Sequence, residues 1–237
     1  MLPELERLLS ELPPVPRRAP QAAVAVAVSA SGLTHRYGQR ATGVERLEFS
    51  FEGPGVVAVT GVNGSGKSTL LRIIAGLLRA STGDVQLRED GRDVSRAPRR
   101  TRVGLATPEL AFYEEFTGAE NLAFSAETRG LEAPRDAAAK ALSRVGLAAR
   151  GKDRVAAYSS GMKQRLRLAF ALLHEPPILL LDEPGSHLDE AGREAVRAVV
   201  ARFAARGLVL LATNDPEEIQ IAARRLELDG HGLGDPA

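Results

Sequence analysis

The sequence predicts an α/β fold: a mainly parallel sheet flanked by helices, antiparallel-type strands ahead of it, and a helical segment inserted within it. Three observations predict this. The continuous apolar runs "VVAVT" (Val56–Thr60), "ILLLDEP" (Ile178–Pro184) and "LVLLAT" (Leu208–Thr213) read as strands covered on both faces, and helical patterns alternate with them. "AVAVAVSASGLTHRY" and "LEFSFEGPG" alternate apolar and polar residues, as antiparallel strands do. From Glu109 to Val155 apolar residues recur three and four apart, the helical period.

In chain order, "LPELERLLSEL" places Leu2, Leu5, Leu8, Leu9 and Leu12 on one helical face. Pro13–Pro20, "PPVPRRAP", cannot continue that helix, so residues 1–20 read as an amphipathic helix on a stiff linker. The alternating strands follow, with turn chemistry at Gly53-Pro54-Gly55. A helix is predicted from Gly66 to about Leu78, then glycine-bearing turns and short strands over Ser81–Val94, then the basic stretch Arg96–Arg102. "GAENLAFSAETRG", "PRDAAAKALSRVGL" and "MKQRLRLAFALLHEP" are helical, and "EAGREAVRAVVARFAARG" is a helix that leads back to "LVLLAT". Asp215-Pro216-Glu217-Glu218 opens a last helix, with Asp215 as N-cap, proline at the first helical position and acids in the first turn. No internal repeat is present.

Composition narrows the function classes. A chain of 237 residues holds one large domain, or one domain with a subdomain. With 31 Lys and Arg against 30 Asp and Glu, net charge gives no support to polyanion binding, and no nucleic-acid partner is expected. The absence of cysteine excludes disulfides, cysteine-ligated zinc and thiol catalysis. Glu4 and Glu6 stand where a secretory signal would be basic and then apolar. Apolar stretches such as Ala22–Val28 fall far short of the ~18 residues of a membrane span. A soluble chain with no direct membrane insertion is expected.

"GVNGSGKST" follows a buried strand and opens a helix, the context that the pattern G-x-x-x-x-G-K-[ST] requires. Gly61, Asn63, Gly64, Ser65 and Gly66 form a loop whose backbone N–H groups can turn inward around a β-phosphate, and the helix N-terminus adds a favourable dipole. Lys67 supplies positive charge to the β- and γ-phosphates, Ser68 a hydroxyl ligand for Mg²⁺, and Thr69 completes the motif. "ILLLDEP" is its expected companion. Asp182 ends a strand where it can hold Mg²⁺ through water, and Glu183 is placed to polarise an attacking water.

Between these two motifs lies "YSSGMKQRLRLAFALL", Tyr158–Leu173. With it the chain resembles the ABC ATPase family, the nucleotide-binding engines of ABC transporters, over roughly Val24–Leu228. The resemblance implies a P-loop NTPase (RecA-like) core with an antiparallel β subdomain and an inserted α-helical subdomain of about 109–157. All of it falls in an ATP-binding domain spanning 21–237, with ATP and Mg²⁺ as ligands. Tyr158-Ser159-Ser160-Gly161-Met162 matches the family signature, which contacts the γ-phosphate held by a second subunit's P-loop. Tyr37, 24 positions before Gly61 (61 − 37), stands where the family stacks an aromatic on adenine. "GSHLD" matches the loop after the catalytic glutamate, where Ser186 and Asp189 would couple the two sites. Pro108–Leu122 resembles the segment that joins core and helical subdomain, near which membrane subunits dock, so Phe112, Tyr113 and Phe116 are candidate contacts.

Two positions depart from the family. Its glutamine at the start of that joining segment is replaced by Pro108 or Glu109; a carboxylate there can meet the metal or accept from water but cannot donate as an amide does. Its strand-end histidine is replaced by Asn214, whose amide can donate to a γ-phosphate without carrying a titratable charge. Asn214 is thus read as a sensor rather than a turn residue, and hydrolysis is expected to be slow.

The expected function is the ATP-binding subunit of a transporter. It would act as a homodimer or paired subunit with separate transmembrane permeases, peripheral on the cytoplasmic face of the membrane. The short architecture and "LLLDEPGSHLD" look similar to small exporter subunits, haem-exporter-like ones included. The alternatives are a soluble ATPase serving a protein assembly of the iron–sulfur type, or a slowly hydrolysing regulatory module.

Overall fold

A computed structural model describes residues 25–38, 41–94 and 99–228. The predicted amphipathic helix and linker of residues 1–20 lie outside the described residues. The elements are β1 (Val26–Tyr37), β2 (Ala41–Glu52), β3 (Gly55–Thr60), α1 (Lys67–Ile74), β4 (Thr82–Glu89), β5 (Arg92–Val94), α2 (Arg99–Arg102) and β6 (Val103–Ala106). There follow α3 (Gly118–Thr128), α4 (Pro134–Arg144), α5 (Ser160–Leu172), β7 (Ile178–Asp182), α6 (Glu190–Ala204), β8 (Leu208–Ala212), α7 (Pro216–Gln220) and β9 (Arg224–Glu227).

The strands form two sheets. One is antiparallel, ordered β2-β1-β4-β5; the other is ordered β6-β7-β8-β3-β9, and its pairings are all parallel. The period of two along the parallel strands divides their side chains between two cores. Val57, Val59, Ile178, Leu180, Leu208 and Leu210 face α1 and the antiparallel sheet, against Val26, Val28, Leu70, Leu71 and Ile74. Leu179, Leu181, Val209 and Leu211 face the other way, onto Leu166 and Leu168 of α5 and Val196, Val200 and Phe203 of α6. Every residue of β7 and β8 is buried, which is why both read as unbroken apolar runs.

Helix α1 is shorter than the sequence predicts. It stops at Ile74 because Gly76 takes the left-handed conformation, φ 77°, that commonly ends helices. In the helical segment Thr117 caps α3 in a capping box: its hydroxyl accepts from Glu120 N, and Glu120 reaches back to Thr117 N at 2.8 Å. Gly118 follows because the Tyr158 hydroxyl lies over it, only 2.3 Å from where a Cβ would stand. That hydroxyl donates to Arg150 O at 2.8 Å, pinning the signature segment to the helical segment. Among the described residues no helix is long and apolar enough to cross a membrane.

Candidate nucleotide site

The sheet order places four sequence-remote segments side by side. At the carboxyl ends of β6, β7, β8 and β3 stand Glu109, Asp182 with Glu183, Asn214, and the glycine loop from Gly61. Open α/β sheets bind ligands at this edge.

The loop itself is built on glycine conformations. Gly61, Gly64 and Gly66 have φ of 148°, 84° and 98°. At Gly66 a Cβ would stand 1.6 Å from Gly43 O, so no other residue fits where the loop runs into α1. Lys67, buried, turns back into the loop and donates to Gly61 O at 2.7 Å and Val62 O at 3.2 Å. Its ammonium is thus held inside the loop by two carbonyls.

Ser68 and Asp182 meet in a hydrogen bond, although 114 residues separate them (182 − 68). Burial pushes the Asp182 carboxyl up, Glu109 and Glu183 push it the same way, and the Ser68 bond and Arg72 oppose them. A buried carboxylate pressed by two others favours a cation. One hydroxyl and one carboxylate at a phosphate cradle are the sparse protein contribution that Mg²⁺ takes, since it completes its shell with phosphates and water. The residues therefore fit the ion. Among the described residues no cluster of three or more His, Cys, Asp or Glu offers an all-protein alternative.

Glu183 is exposed and sits at φ 48°, in the left-handed region, with its N–H donating to Ala212 O at 2.9 Å. Glu109 pairs with Arg72 of α1 at 2.6 Å. Burial alone would raise the Glu109 carboxyl; hydrogen bonds from its own backbone and from Arg72 outweigh that and hold it low. Asn214 is exposed, and its Oδ1 accepts from Gly61 N at 3.3 Å. Thus Asn214 reaches the loop, while Asp215 caps α7 through Glu217 N.

Tyr37 is 46% exposed, its ring edge-on to His35, and its hydroxyl bonds Thr69 Oγ1 at 3.1 Å. The ring thus stands beside the loop, about half exposed. Ser159, Ser160 and Gly161 lie apart from these groups. They line a cavity of about 350 Å³ with Asp189 and His187, and Ser159 caps α5 through Met162 N. Of the three candidate contact aromatics, Phe112 is partly buried against Phe170, whereas Tyr113 and Phe116 are 56% and 45% exposed.

Residues 44–186 match the family model described as ABC transporter. The chain belongs to that family. A linearmycin resistance ATP-binding protein of Bacillus subtilis (strain 168) is 30% identical over 86% of this chain and 67% of its own length. A daunorubicin resistance ATP-binding protein of Streptomyces coeruleorubidus is 37% identical over 85% of this chain and 65% of its own. An aliphatic sulfonates import ATP-binding protein of Pseudomonas putida is 36% identical over 86% and 73%. The chain thus spans about two thirds of the length of these relatives. A dimeric ATP-binding cassette in a post-hydrolysis state with ADP and Pi shares the ABC cassette fold at TM-score 0.76 and 21% identity, over 87% of this chain and 96% of that one.

Three residues around this ABC site escaped sequence reasoning. Gln164, three positions past the signature glycine, is a polar side chain on the face of α5 that buries Leu168 and Ala171. That placement was the available signal. Arg72 lies one turn past the loop lysine with no motif to mark it. Glu218 is 5% exposed; it hydrogen-bonds Thr213 and the backbone of Gly185, below the loop after Glu183. Burial pushes its carboxyl up, with Asp215 and Glu183 adding to the shift against those two bonds.

Proposed function

We propose that the chain is the ATP-binding subunit of an ABC transporter, binding and hydrolysing Mg-ATP in a head-to-tail dimer that drives transport through separate membrane subunits. The observation that carries this reading is the Lys67–Ser68–Asp182 cluster, with Glu183 beside it, at the edge of the parallel sheet.

Each residue's part follows from its chemistry. Loop N–H groups and Lys67 hold the β- and γ-phosphates, and Tyr37 stacks on adenine. Ser68 and Asp182 would hold Mg²⁺, which when bound neutralises phosphate charge. Glu183 accepts the proton of the attacking water. Asn214, whose Oδ1 accepts from Gly61 N, donates to the γ-phosphate through Nδ2. Ser159, Ser160, Gly161 and Asp189 meet the partner's nucleotide, since the P-loop leaves one side of the γ-phosphate uncovered. Tyr113 and Phe116, exposed beside α3, fit a membrane-subunit contact. Cytoplasmic, membrane-peripheral placement follows from this reading. The relatives named for drug resistance and for sulfonate import leave cargo and direction to the membrane partner.

A slow turnover is part of the proposal, supported by a neutral Asn214 and by a Glu109 held by Arg72. The test is nucleotide titration and size-exclusion chromatography with Mg-ATP. Lys67→Ala should lose ATP binding, and Glu183→Gln should run as an ATP-dependent dimer. Unchanged ATP affinity in Lys67→Ala overturns the site; a monomeric Glu183→Gln, alone and with its membrane partner, overturns the dimer.

A further inference from the structure

Gln164 is 7% exposed, and its amide is fully engaged. Nε2 donates to Glu183 O at 3.3 Å and to Pro184 O at 3.1 Å. Oε1 accepts from Arg167 Nη1 at 2.9 Å, and Arg167 Nε donates to Leu110 O at 2.9 Å. A continuous hydrogen-bonded path therefore runs from the segment after β6, through two side chains of α5, to the backbone of Glu183.

The last link falls on a residue of unusual backbone conformation. Glu183 is a non-glycine residue at φ 48°, a conformation that surrounding contacts must impose. Its carbonyl also accepts from Ser186 N at 3.1 Å and Ser186 Oγ at 2.7 Å. With both of its N–H bonds placed on successive carbonyls, Gln164 locks the 183–184 peptide against rotation. Rotating that peptide would swing the Glu183 carboxylate away from its place beside Asp182. At the other end, Leu110 adjoins Glu109 and lies just before Tyr113 and Phe116, the exposed aromatics.

We propose that Gln164 and Arg167 are positioning residues that aim the Glu183 carboxylate and make its aim depend on where the 108–112 segment sits. The proposal rests on Glu183 being the water-activating group. It goes beyond that reading by naming the route through which a protein docked on the Tyr113 and Phe116 face would alter hydrolysis. A merely structural polar network would also be buried and satisfied; it would change stability without changing the Glu183 loop or the chemical step.

The test uses the full chain with Gln164→Met, Gln164→Glu, Arg167→Met and the Gln164→Met/Arg167→Met pair. It reads kcat, KM for ATP, and amide exchange of residues 183–188 in nucleotide-free protein. Gln164→Met should lower kcat at least tenfold with KM within about twofold, and speed exchange at Ser186 and Leu188. Gln164→Glu keeps shape and an acceptor for Arg167 but offers the two carbonyls no donor, so it should match that loss even if the methionine variant fails to fold. Arg167→Met should cost less, and the double variant should behave as Gln164→Met alone, because Arg167 acts through Gln164. Wild-type kcat and exchange in folded Gln164→Glu, or losses that multiply in the double variant, overturn the proposal. Glu183→Gln separates the two levels: if it retains turnover, the assignment of Glu183 has failed instead.

Discussion

His174 should give this protein a measurable acid sensitivity. It follows α5, where burial, the Arg129 guanidinium and Arg102 together push its imidazole down to about 3, against hydrogen bonding to Val103. Arg129 Nη1 lies 3.3 Å from Nδ1, so the ring accepts there and stays neutral. Unfolding releases the ring to an ordinary pKa of about 6.5. Between about 3 and 6.5 the unfolded chain therefore binds a proton that the folded chain does not, and stability falls as the pH falls. One pKa unit is worth about 1.36 kcal/mol, so lowering the pH from 7 to 5 costs about 2 kcal/mol through this ring alone. His174→Gln keeps an amide near Arg129 and cannot titrate. Urea unfolding of nucleotide-free wild type and variant at pH 5, 6 and 7 should show the wild-type curve dropping relative to the variant by about that amount. A stability difference between the two that does not change with pH refutes the argument.

Other positions give sharper functional tests. Tyr37→Ala should weaken ATP binding by about 1–3 kcal/mol, the size of a base–aromatic stack, while Tyr37→Phe keeps the ring and should stay close to wild type; equal losses in calorimetric titrations would assign the role to the Thr69 bond instead. Glu218 has its folded pKa raised, so stability present below about pH 4.5 is lost as the pH rises through the folded value. Glu218→Gln should therefore gain melting temperature at pH 7 relative to pH 4, and a gain that is larger at pH 4 counts against a buried carboxylate. Asn214→Ala should leave ATP affinity nearly intact and lower kcat by less than the 10²–10³ typical of a lost oxyanion donor. A drop in melting temperature with normal turnover would make Asn214 a turn residue.

Much of the fold could be read from the sequence because burial and periodicity coincide in it. Ile178–Asp182 and Leu208–Ala212 are buried along their whole length, and a strand with two covered faces leaves an unbroken apolar run. The glycine loop was legible for a different reason: its conformations and its approach to Gly43 tolerate no side chain, so the requirement is written directly in residue type. Gln164 shows in the sequence only as a polar residue on an apolar helix face, and Glu218 and Arg72 not at all, since their partners lie 20, 33 and 37 residues away or are main-chain carbonyls and N–H groups. A single sequence carries no mark of such a partner. Helix α1 ends short of the apolar pattern that continues to Leu78 because Gly76 outweighs that pattern.

Asn214 and Glu109, the two positions read as departures from the family pattern, are both lightly held. Asn214 is a neutral amide whose oxygen accepts from Gly61 N at 3.3 Å, a long bond that costs little to break. Glu109 is a carboxylate that Arg72 of α1 holds at 2.6 Å. That pair is partly exposed, which limits its worth to the ~0–1 kcal/mol of a surface ion pair. Both contacts are therefore weak holds. Removing Arg72 should release Glu109 toward Asp182 and press that buried carboxyl further up, since Glu109 already raises it and Arg72 opposes the rise. The metal would then meet a more strongly anionic edge, whereas a loss of Mg²⁺-dependent ATP binding in Arg72→Met would show that Arg72, not Glu109, shapes the site.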